Sequence, residues 1–166
     1  MAAFIVGTVA PTAADDVVVE VARELVVRTA PQELPLFRAT SAAYLEDPDK
    51  VLRAKAGKDE VLGFGVEAAI LFMTPAALEV AKTVVSFLFK QVKGALEKET
   101  SDAIAKRVHG LFHPGEDAAG SQPPGLTHEQ LEQVHDLALE KARELDLPED
   151  KAGLLADAVV GSLAVA

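Results

Sequence analysis

The chain has 166 residues, a formal net charge of -10, 49% apolar residues and no cysteine. That length holds one domain, or one domain with an appendage, and suffices to bury a real core, while the missing thiols exclude disulfides, thiolate metal sites and thiol catalysis. The charge is uneven: residues 1–112 carry 13 Lys and Arg against 15 Asp and Glu, residues 113–166 carry 3 against 11, and so acidic an end argues against a nucleic-acid partner, which needs a basic face.

Residues 1–14, MAAFIVGTVAPTAA, end in small residues as a secretory signal does, but no Lys or Arg precedes Arg23 and the apolar run at residues 4–9 is short. A cytoplasmic protein is the expectation. Phe4, Ile5, Val6 and Val9 suit a short strand or an extended arm. Asp15 or Asp16 is placed to cap a helix running to about Thr29, with Val17, Val18, Val21, Ala22 and Leu25 on one face and Glu20, Arg23, Glu24 and Arg28 opposite. Pro31 and Pro35 bracket a turn, followed by a short helix through Phe37 and Tyr44 to near Glu46. Asp47 and Pro48 start another helical segment, and Lys55, Lys58, Asp59 and Glu60 then mark an exposed polar loop.

Residues 61–98, VLGFGVEAAILFMTPAALEVAKTVVSFLFKQVKGALEK, form the densest apolar stretch. Glu67 is the single charge before Met73, and Thr74 with Pro75 supplies a cap and first position for a long second helix, so a hydrophobic helical hairpin is expected. In that second helix Glu79, Lys82, Ser86, Lys90, Lys93 and Glu97 recur every three or four residues as one narrow polar stripe. The rest of its surface, about two thirds of the circumference, is apolar and must be covered by neighbours, a partner or lipid. Gly94 is placed to bend or end it, and Thr100, Ser101 or Asp102 to cap a continuation through Ile104, Val108 and Leu111. Residues 113–126, HPGEDAAGSQPPGL, read as a linker. Thr127 and Gln130 have capping-box spacing for a helix to about Leu145; Leu147 and Pro148 make a turn, and Ala152, Leu155, Val159 and Leu163 share one side of the last helix.

These patterns predict an all-α fold: a compact helical bundle around a central hydrophobic helical hairpin, with a C-terminal two-helix appendage. The division expected is a core domain at 1–112, a linker at 113–126 and an acidic two-helix tail at 127–166, a tail too small for a stable core of its own.

Chemistry is sparse. All four histidines lie at 109, 113, 128 and 135. His109 and His113 are one helical turn apart, and His128, Glu132 and His135 share a helical face, so either set is a candidate for a divalent metal. Glu132 and His135 match half of a di-iron ligand set whose second half is missing from the chain. No serine sits in Gly-x-Ser-x-Gly, and Gly63-Phe64-Gly65 lacks the third glycine of a dinucleotide loop, so neither catalysis nor an organic cofactor is expected. The leading expectation is a non-catalytic helical module, an adaptor or an oligomer, acting on a protein partner or a second copy. Leu78, Val85, Leu88 and Val92 are the candidate interaction residues in the long helix. Leu131, Leu155 and Val159 are those of the tail. The alternatives are a membrane-active effector that inserts residues 61–89 and a histidine metal-binding protein.

Overall fold

A computed structural model describes residues 12–56, 73–95, 98, 100–113 and 125–163. Among them the chain is all-α, as its periodicity predicts, with seven α-helices: α1 (Ala13–Thr29), α2 (Leu34–Glu46), α3 (Pro48–Ala56), α4 (Met73–Ala95), α5 (Ser101–Phe112), α6 (His128–Glu144) and α7 (Glu149–Ser162). The arm at residues 4–9, most of the linker, and the first half of the expected hairpin with Gly63, Gly65 and Glu67 lie outside the described residues.

The helix starts follow from local chemistry. α1 begins a few residues before the expected Asp cap: Thr12 Oγ1 accepts from Asp15 N at 3.2 Å while Asp15 Oδ2 accepts from Thr12 N at 2.9 Å. Asp15 thereby acts as the reciprocal partner of a capping box, and Asp16 beside it complements the helix dipole. Thr127 and Gln130 form the same reciprocal pair for α6, at 3.2 and 2.9 Å, and Thr100 Oγ1 accepts from Ala103 N at the start of α5. α6 ends in a Schellman turn. Asp146 takes φ of 59°, its N–H donates to Arg143 O, and Leu147 N donates to Ala142 O at 3.2 Å.

α4 departs from the expectation at its start. Thr74 lies inside the helix, and its hydroxyl donates to Glu33 Oε2 at 2.5 Å instead of receiving a backbone N–H. Glu33, buried at the end of a 3-10 turn, also accepts from Met73 N at 2.9 Å and Thr74 N at 2.7 Å. One carboxylate thus fills the role of an N-cap from a different part of the chain, where negative charge meets the positive end of the dipole.

α4 occupies the centre, in contact with α1, α2, α3, α5 and α6. Ala76, Ala77, Leu78, Val80, Ala81, Val84 and Leu88 are fully buried, and Lys82, Ser86, Lys90 and Lys93 keep the outward stripe. The run of small residues lets helix axes approach closely, so α1 lies along α4 through Val18, Val21, Ala22, Leu25 and Val26. The C-terminal pair joins the same core: α6 packs on α4 through Val134, Ala138 and Ala142, and α7 on α1 and α6 through Leu155, Ala156 and Val159. Gly161 admits the Arg28 guanidinium, since a Cβ there would stand 3.3 Å from Nη1.

Two substitutions test this packing. Leu155→Ala is expected to cost about 2–5 kcal/mol and to shift one cooperative urea transition, because α7 shares its core with α1; a separate early transition confined to the C-terminal pair would contradict that. Glu33→Ala leaves two buried N–H groups and a hydroxyl unpaired, at about 1–3 kcal/mol for each group left unsatisfied, and is expected to lower the urea midpoint more than alanine at exposed Glu46, measured in parallel.

Candidate metal centre

Glu20 lies on the exposed flank of α1, between the buried residues Val17 and Val21, and α1 packs against α5. On α5, burial of Ile104, Ala105, Val108 and Leu111 fixes the helix rotation and brings His109 to the α1 side. Its Nε2 is 2.6 Å from Glu20 Oε2. One turn later His113, the C-cap residue of α5, places its own Nε2 3.9 Å from the same oxygen, and the two imidazole rings lie 4.4 Å apart at centroids, tilted by 33°. The three side chains offer one donor atom each, all within 4.8 Å of one another. Exposure rises from His113 (18%) through His109 (29%) to Glu20 (55%), so the cluster backs onto the protein and opens at the carboxylate.

The second expected set does not assemble. His128 and Glu132 pair with each other at 3.1 Å on the exposed start of α6, while His135 turns toward α7 and meets Asp157 at 3.0 Å. Asp157 is an expected neighbour of neither, and its approach follows from packing α7 on α6. Of the five candidate metal residues, the fold therefore brings together His109 and His113 and adds Glu20, which the sequence showed only as one polar residue among four on the outer face of α1.

The candidate interaction residues sit in the core of the chain itself. Leu78, Leu88, Leu155 and Val159 are fully buried, Val85 and Leu131 are buried, and Val92 is half-buried at the edge of the same core. Large apolar side chains that stay exposed among the described residues are scattered singly: Val27, Leu45 and Leu154. No described helix is long and apolar enough to cross a membrane. Searches against family models, curated proteins and solved structures return no match.

A second polar group ties three helices together. Tyr44 of α2, buried, donates its hydroxyl to Glu79 Oε2 of α4, and Glu79 Oε1 lies 3.5 Å from Lys141 Nζ of α6. Lys141 also meets Glu144 at 3.3 Å. Burial of the phenol, and then its hydrogen bond to Glu79, hold the Tyr44 hydroxyl well above its ordinary pKa. At Lys141 burial pulls downward, but Glu144 and Glu79 outweigh it and the ammonium titrates above its ordinary range. Lys82 Nζ stands 5.9 Å from the Tyr44 ring centroid, within reach of a cation–π contact.

The Tyr44 shift has a definite sign. A group held above its unfolded pKa contributes stability that is complete below that pKa and declines as pH rises past it, so stability should fall above about pH 10 as the unfolded phenol ionises. Tyr44→Phe is expected to flatten that alkaline slope while lowering neutral-pH stability by about 1–3 kcal/mol, because Glu79 loses its donor. Denaturant titrations from pH 8 upward measure both, and an unchanged slope in the variant would show that the phenol is not its source.

Proposed function

We propose that the protein is a helical binding protein for a divalent transition-metal ion, held by Glu20, His109 and His113. The observation that carries this reading is the convergence of a carboxylate from α1 on two imidazoles one turn apart on α5. Two nitrogens and one oxygen suit zinc and its neighbours in the first transition row better than magnesium or calcium, which prefer shells made of oxygen. The geometry needs adjustment at the glutamate and, for the two imidazoles, whose donor atoms lie within 4.8 Å of each other, a ring rotation that brings them closer. Donors about 2.0–2.2 Å from a tetrahedral ion lie about 3.3–3.6 Å apart. The His109–Glu20 contact of 2.6 Å has to open by about 1 Å, and the His113–Glu20 separation of 3.9 Å has to close by about 0.5 Å, movements within reach of a half-exposed glutamate turning about its own torsions.

Association through helix faces, with a protein partner or a second copy, is the reading that the apolar circumference of α4 suggests. Within the chain that circumference is covered by α1, α2, α5 and α6, so it lends association no support. The same holds for membrane insertion of residues 61–89: its described part, from Met73 onward, is the centre of the core.

Zinc binding tests the proposal directly. Calorimetry should give one ion per chain, and an ion held at about a hundred times its Kd adds about 2.7 kcal/mol, which raises the Tm of a chain this size by about 5–10 °C. Glu20→Gln and His113→Ala are expected to abolish both effects, whereas a His128→Ala/His135→Ala double variant keeps them. No heat and no Tm shift with the native chain, or loss of binding in that double variant, would overturn the assignment.

A further inference from the structure

We infer that an ion at Glu20, His109 and His113 keeps a coordination position open to solvent and takes a small, exchangeable anionic donor there; this rests on the metal reading above. Three donor atoms within 4.8 Å of one another make one triangular face of a coordination shell, and they come from just two helices packed side by side. The imidazoles stack along the length of α5, one turn apart, so both approach the ion from that helix, and Glu20 approaches from α1. The opposite vertex is left to whatever lies outward. Exposure rises across the triangle from His113 (18%) through His109 (29%) to Glu20 (55%), so the side of the ion next to the carboxylate is the one open to water.

Charge points the same way. A divalent ion bound to one carboxylate and two neutral imidazoles keeps one net positive charge, which favours an anion over a neutral donor in the last position. Sites of three protein ligands with a free vertex are those in which zinc exchanges its water or hydroxide, whereas structural sites are closed by four. The described carboxylates one helical turn from Glu20 on α1 are Asp16, exposed in the first turn, and Glu24, which is paired with Arg28 at 3.7 Å, so Asp16 is the one left to close this site. Arg23, one turn after Glu20 and also exposed, attracts an incoming anion and offsets part of the repulsion from Asp16 and Glu24 on the same helix.

Cobalt(II) in the full-length chain, titrated with azide, tests this. The expected result is a set of visible ligand-field bands that shift and change intensity along a saturable azide curve, alike in the native chain and in Asp16→Asn, with no bands in Glu20→Gln. Bands that ignore azide in the native chain would overturn the open vertex, as would an azide response that appears only in Asp16→Asn, since Asp16 would then be the fourth ligand. Absence of any ligand-field bands on adding cobalt would overturn the metal reading itself, a failure distinguishable from a closed site.

Discussion

A helix that is apolar over most of its circumference cannot face water on more than a narrow strip, and α4 is such a helix. Its Ala, Val and Leu side chains leave a narrow outer strip that includes Lys82, Ser86, Lys90, Gln91 and Lys93. Each large side chain removed from water contributes about 1.5–3 kcal/mol before entropy is counted. Five other helices are arranged as they are because each covers part of that surface. α1 needs its β-branched face buried, and α6 and α7 are too short a pair to bury theirs on each other; α4 takes the faces of α1 and α6, and α7 is covered by α1 and α6 in turn.

Hydrophobic burial is non-directional and does not by itself choose a register for helices so rich in alanine and valine. The directional contacts are few and placed where they do choose. Glu33 fixes the start of α4 against the turn before α2 through three accepted hydrogen bonds, and Glu79 fixes its middle against Tyr44 on one side and Lys141 on the other. A slide of α4 by one turn would strip the buried carboxylate of Glu33 of its donors, and unpaired buried charge is among the more destabilising things a fold can hold. His109 and Glu20 join α5 to α1 at a half-exposed position, where the same kind of contact is easier to rearrange.

Much of this was legible in the chain before it folded. The capping box at Thr127, a cap among residues 100–102 that falls on Thr100, the turn after Asp47, and the apolar periods of α1, α4, α6 and α7 are local signals, each read within a few residues. The contacts that cross between helices were not legible. Glu33 is a glutamate between two prolines and carries no mark of burial; Thr74 resembles an N-cap because its sequence neighbours are those of one, yet the competing acceptor lies 41 positions earlier. The histidine pair was visible as a spacing, but the third member depends on how α1 rotates against α5, which no window of residues contains. Likewise His128, Glu132 and His135 share a helical face on paper, and it is the docking of α7 that draws His135 away to Asp157.

One feature of composition becomes useful in this setting. The chain holds a single tyrosine and no tryptophan, and that tyrosine is Tyr44 at the junction of α2 with α4. Excited at wavelengths longer than the seven phenylalanines absorb, intrinsic emission therefore originates at one side chain, seated against a carboxylate that in turn touches α6. The protein carries its own site-specific optical probe, reporting on the meeting point of three helices without any label being attached.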